Sequence, residues 1–179
     1  MKNDIEILTD EIVKAARKSF LELFENGEEY YYCSLVTIPE GFCPIVSAWS
    51  WEALKREAKR QGCQEANIKW SYADSPYCIF GEENFKDVTK LFFERPTMQE
   101  LDDDDWDKEF NLRLQSMELA MKKLDEEGLF EKNQSRDSVC VLVEIMTPDE
   151  INTKIALRLN DPESKAMKSW LSEAAETFE

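Results

Sequence analysis

Two short runs crowded with aromatic and β-branched residues, set on either side of a Pro/Gly turn, constrain this chain more than any other feature. Tyr30-Tyr31-Tyr32-Cys33-Ser34-Leu35-Val36-Thr37-Ile38 leads into Pro39-Glu40-Gly41, and Cys43-Pro44-Ile45-Val46-Ser47-Ala48-Trp49 returns. Such residues fit a pleated, packed surface, and the turn between them predicts a β-hairpin over Tyr30–Trp49. Both faces of the first run are largely apolar or aromatic, which predicts a central strand covered on two sides. All five tyrosines, with Trp49, Trp51 and Trp70, lie between Tyr30 and Tyr77. The core and any recognition surface are therefore expected to meet there.

Helical patterns surround the hairpin. Ile5, Leu8, Ile12, Ala15, Ala16, Phe20, Leu23 and Phe24 recur at spacings of three and four, predicting a helix over Ile5–Phe24 stopped by Asn26-Gly27. Ser50 is placed to cap a second helix from Trp51 to about Gln61, with Gly62 ending it. Asn67–Ile79, rich in Trp and Tyr and interrupted by Pro76, reads as a strand or a structured loop. A helix is expected over Glu82–Glu94, ended by Pro96. Trp106, Phe110, Leu114, Met117, Met121 and Leu124 form the best-kept helical stripe, which Gly128 closes. Lys108, Glu109, Arg113, Glu118, Lys122 and Lys123 are assigned to its opposite, polar face.

Ser138–Met146 alternates as a strand. Thr147-Pro148-Asp149-Glu150 has the form of a capping box with Pro at the first helical position, ahead of a short helix through Ile151, Ile155 and Leu159. Asp161-Pro162 offers a second cap-and-Pro start, leading through Met167 and Trp170 to Phe178. Helices and strands mix without β-α-β alternation. The expectation is one α+β domain over residues 1–179, with a mainly antiparallel sheet and helices packed against it.

Composition then narrows function. Histidine is absent from all 179 residues, which removes Ser-His-Asp and Cys-His catalysis and His-containing zinc sites. The 38 acidic and 22 basic residues give a net charge of −16. Such a surface repels phosphate backbones and anionic membranes, so neither nucleic acid nor membrane is an expected partner. It attracts a basic protein, although solubility alone also accounts for acidity. No apolar run approaches the ~20 residues needed to span a bilayer. Met1-Lys2-Asn3-Asp4-Ile5 carries no apolar signal region, so a cytoplasmic location is the expectation. Cys33, Cys43, Cys63, Cys78 and Cys140 form an odd set without a C-x-x-C pair, which reads as reduced, structural thiols.

Few constellations carry chemistry. A calcium loop counted from Asp103 would need Gly at its sixth position and Glu at its twelfth; Lys108 and Leu114 stand there. The Asp102–Asp105 run reads instead as a solvated helix start. Asp74, set between Tyr72 and Tyr77 beside Trp70, has two readings. It is a carboxylate for acid–base work with Tyr72, or a turn residue ahead of Ser75-Pro76, and turn chemistry favours the second. Trp49, Trp51, Trp70 and Tyr72 are candidates for an aromatic recognition surface, weighed against an ordinary core role. No phosphate-cradling or nucleophile-elbow motif occurs. No cofactor is implied.

Taken in order, these features resemble a bacterial family of unknown function, domain-of-unknown-function family 4303. The resemblance rests on the N-terminal helix leading to Tyr30-Tyr31-Tyr32, on Lys69-Trp70-Ser71 with Asp74, on the long helix and the strand Val139–Ile145, and on Arg158-Leu159-Asn160. It implies a bacterial α+β domain without an established activity. It also adds Arg158 and Asn160 to the candidate binding residues, beside the bland reading of Asn160 as a left-handed helix cap. Small acidic families of this kind include immunity proteins that neutralise toxins by binding them. By that analogy the expected activity is non-enzymatic inhibition of a basic toxin domain, with Asp74-centred catalysis as the alternative.

Overall fold

The structure, a computed structural model, describes residues 3–176. The hairpin forms as its composition predicts: β1 (Tyr30–Thr37) pairs antiparallel with β2 (Ile45–Ser50). Tyr30 lies opposite Ser50 and Tyr32 opposite Trp49, so Tyr31 is an extra residue in the ladder. A bulge interrupts the alternation of faces. Tyr31 and Tyr32 consequently share one face of the sheet, while Tyr30 and Cys33 share the other.

The third strand, β3 (Cys140–Ile145), lies on the far side of β1 and runs parallel to it, giving the order β2-β1-β3. The sheet is mixed, which corrects the expectation of a mainly antiparallel one. Its cause lies in the connection. A helical excursion between β2 and β3 returns the chain to the end of the sheet where β2 left it, so Cys140 starts beside Tyr32. Only a long connection can place a parallel neighbour.

Every residue of β1 is buried, because helices cover both faces. On one side lie α1 (Asp4–Phe24), opened by an Asn3–Glu6 capping box, and α4 (Asp103–Glu126), capped by Asp102. They enclose Cys33 and Leu35 with Phe20, Met117 and Met121. Behind the other face, α2 (Trp51–Gln61) and α6 (Lys165–Glu173) meet Tyr31, Tyr32, Trp49 and Leu142. A 3-10 turn over Glu82–Phe85 leads into α3 (Lys86–Phe93), which splits the helix expected over Glu82–Glu94.

Side chains close both edges of this narrow sheet. From α5 (Glu150–Leu159) and its end, Asn152 accepts from the Ile145 N–H at 2.8 Å and donates to the Ile145 carbonyl at 3.0 Å. Asn160 does the same for Val141, at 2.9 and 2.8 Å. Each amide stands in for a residue of a missing fourth strand. Along the outer edge of β2, Trp49 and Ser47 donate to the carbonyls of Ser71 and Tyr72, Ser75 donates to the Ala48 carbonyl, and the Phe80 N–H reaches Val46. The Asn67–Ile79 segment is therefore a loop, not a strand.

Several terminal assignments change with the observed caps. Asp149, not Thr147, caps α5 by accepting from the Ile151 N–H. Ser164 caps α6, leaving Asp161-Pro162 in the preceding turn, and Phe178 lies outside the described residues. Asn160 ends α5 in extended backbone (φ −128°), not the left-handed region. All five cysteines are free, with Cys33 and Cys140 buried.

Two glycines separate backbone strain from packing. Gly27 (φ +73°) has open space where a Cβ would sit, whereas at Gly81 (φ +68°) a Cβ would lie 2.7 Å from Ser19 Cβ and closer still to its hydroxyl. Gly27→Ala is expected to destabilise the fold by about 1 kcal/mol, from the left-handed backbone alone. Gly81→Ala adds a clash against the buried face of α1 and is expected to cost ~3 kcal/mol. Denaturant titration of both variants checks this; equal losses would contradict the docking of the Gly81 turn on α1.

Candidate functional site

The aromatic residues singled out by sequence divide between core and surface. Trp49 is fully buried, its Nε1 donating to the Ser71 carbonyl at 2.8 Å. Trp51 and Trp70 are half-buried and pack on Tyr31, with ring centroids 4.3 and 5.3 Å away. The Lys69 ammonium sits 5.5 Å from the Trp51 ring and 4.9 Å from the Trp70 ring, within cation–π range. It donates to Ser169 Oγ and Glu173 Oε2, both at 2.9 Å, while Trp70 Nε1 donates to the same carboxylate. The box between the two tryptophans is thus filled by the chain's own lysine, and α6 clasps it.

The remaining candidates do not converge. Tyr72 is half-buried and offers its carbonyl to Ser47. Asp74 is exposed and is not among the residues that line the groove of about 410 Å³ between the hairpin turn and α3. Arg158, also exposed, makes a two-pronged ion pair with Glu118 at 2.7 Å. Asn160 is buried against β3. Arg158 and Asn160 are neighbours in sequence that serve different parts of the fold.

Two buried carboxylates were not singled out from the sequence. Glu109 and Arg113 had been assigned to the polar face of α4, and both are buried. Glu109 accepts from Arg95 Nε and Arg113 Nε, each at 2.6 Å, and Arg95 also reaches Asp4 at 3.1 Å. Burial pushes the Glu109 carboxyl up, but the two guanidiniums outweigh it and hold it below its ordinary value. The four-residue spacing of Glu109 and Arg113 on α4 is the readable signal. Glu144 instead lies inside, where among the described residues it accepts from Tyr32 Oη at 2.5 Å and Ser34 Oγ at 2.7 Å. Burial raises its pKa above the ordinary 4.5, and the two hydroxyls only partly offset this.

Away from both clusters, an apolar groove of about 410 Å³ opens between the hairpin turn, the start of β2, α3 and the stretch after Pro96. This lies in the ~300–1,000 Å³ range of ligand pockets. Phe42, Ile79, Phe93 and Met98 line it while remaining 60, 48, 82 and 46 % exposed. Glu40 and Glu82 add negative charge, and Arg113 is the one cation among the lining residues. Each nitrogen of its guanidinium already donates to a protein oxygen: Nε to Glu109, Nη1 to the Gly41 carbonyl at 2.8 Å and Nη2 to the Pro96 carbonyl at 2.7 Å. Ile79 holds a left-handed backbone (φ +61°), rare and strained for a β-branched residue. The sequence signal of this groove is the Phe92-Phe93 doublet, since adjacent residues project about 100° apart on a helix and one packed face does not bury both.

A family profile matches residues 12–161, a span that holds the whole sheet, both closed edges and the groove. The chain belongs to domain-of-unknown-function family 4303. No curated protein and no solved structure matches it. Within the family-4303 span lie Lys69 and both walls of its aromatic box, whereas α6 and Glu173, which clasp that box, lie beyond it.

Glu144 yields a pH prediction with a fixed sign. Its folded pKa is raised, so its favourable contribution is complete below pH 4.5 and is lost as pH rises through the raised value. Glu144→Gln keeps an acceptor for Tyr32 and Ser34 without a titrating charge. The stability of this variant relative to the parent is expected to climb as pH rises above 4.5, giving it the higher Tm of the two at neutrality. Thermal melts across pH check this, and a flat difference between the two proteins would contradict it.

Proposed function

We propose that this protein is a non-enzymatic, acidic binding module that acts in a bacterial cytoplasm and whose partner is a basic protein. Neutralisation of a basic toxin domain, in the manner of immunity proteins, is the specific form of that activity we favour. The observation that carries the reading is a large exposed apolar groove whose available charges are carboxylates, on a chain of net charge −16. Monomeric surfaces seldom expose large contiguous apolar patches unless another molecule covers them. Acidic surroundings then favour a cationic partner, hasten its encounter and penalise an anionic one.

The test is capture from lysate of the source cells at low ionic strength, then with added salt. One basic protein is expected in stoichiometric yield, lost at high salt, and its purified form is expected to rebind as a defined complex by calorimetry. An acidic partner, or binding indifferent to salt, would overturn the charge-matched reading.

A further inference from the structure

We infer that the groove beside Phe93 is an anchor pocket for one bulky apolar side chain, aromatic or leucine, on a partner segment flanked by lysine or arginine. This rests on the binding-module reading above and adds where the partner docks and what it presents. Phe42, Ile79, Phe93 and Met98 come from three separate stretches of chain, yet all four open into the same groove. Methionine and phenylalanine walls adapt to an incoming apolar group, and interfaces concentrate their affinity in such pockets.

The chemistry of the rim selects among occupants. A carboxylate or phosphate ligand needs an available cation, but each nitrogen of the Arg113 guanidinium already donates to a protein oxygen. The Arg95–Glu109–Arg113 network is further balanced by Asp4, so it presents no net charge to the groove. Neither Lys86 nor Lys90 of α3 is among the lining residues, which leaves Glu40 and Glu82 to set the sign. A second copy of this chain would bring another −16 and another pair of carboxylates to the same rim. A segment that buries an apolar side chain and lays cations on Glu40 and Glu82 satisfies both features together.

Ile79 adds a second, independent mark. Its strained backbone is pinned by the Phe80 N–H on the Val46 carbonyl and the Cys78 N–H on the Ser75 carbonyl, and the side chain is held out at the groove instead of folding inward. Strain maintained by the surrounding structure at an exposed apolar residue is a feature of binding clamps.

The test uses the full chain and labelled short peptides carrying a central Trp between lysines, the same peptide with Ala at the centre, and the Trp peptide with glutamates as flanks. Only the lysine-flanked Trp peptide is expected to bind. Phe93→Ser, at a site so exposed that the core is untouched, is expected to weaken binding at least about tenfold. Ile79→Gly is expected to hold or raise stability while also weakening the peptide. Equal binding of the glutamate-flanked peptide, or an indifferent Phe93→Ser, would overturn the proposal. So would tight uptake of the neutral dye Nile red with no peptide bound, which marks a small-molecule pocket, or a dimer that Phe93→Ser dissolves. A captured basic protein that binds Phe93→Ser as tightly as the parent would sink the anchor pocket and leave charge-matched binding standing; loss of all basic partners would sink both.

Discussion

Burial of β1 on both faces is the constraint from which the remainder of this fold follows. An eight-residue strand with no exposed position needs a helical layer above and below it and a neighbour on each side. The sheet has only three strands, so its two outer edges would leave rows of backbone donors and acceptors open. Side chains close them: Asn152 and Asn160 along β3, and Ser75 with the 71–80 loop along β2. Asn160, a candidate binding residue, is thereby engaged by the backbone of β3, and removing its amide exposes that edge.

The parts legible in sequence were those whose pattern is local. The hairpin declared itself through β-branched and aromatic runs about a turn, and α4 through the stripe from Trp106 to Leu124. What escaped depends on partners distant in sequence. The parallel placement of β3 depends on where a long helical excursion ends, which no periodicity records. The Tyr31 bulge shifts one residue to the other face and so creates the Trp51–Trp70 box, although strict alternation would have placed Tyr31 beside Cys33. Arg113 looked solvated by its position on α4, and only Gly41, Pro96 and Arg95 together explain its burial.

Glu109 and Glu144 show how burial alone fails to determine the behaviour of a carboxyl group. Glu109 faces two guanidiniums, so its contribution to stability is complete above pH 4.5 and is lost as pH falls through its depressed pKa. Glu144 faces two hydroxyls, which donate but carry no charge, and its dependence on pH runs the opposite way. The first carboxyl locks the hairpin turn and α3 to α4 through Arg113 and Arg95, directly behind the groove. The second sits in the interior of the other face and is not among the residues that line the groove.

The acidic surface and the apolar groove are best understood together. An exposed cluster of Phe42, Ile79, Phe93 and Met98 on a chain near neutrality would promote self-association through that patch. A net charge of −16 opposes this, because two copies approaching through their grooves bring carboxylates together. The solubility reading of the charge and the binding reading are therefore not rivals. On the binding reading proposed above, the same carboxylates that oppose a second copy at the groove favour a cation-bearing segment there. The groove keeps its shape while open because its wall is braced from behind, by Arg113 holding Gly41 and Pro96 and by the Ile79 turn tied to β2. A groove that is preformed and apolar loses little to reorganisation on binding, so on the proposed reading its selectivity would reside in what a partner carries on either side of the anchor.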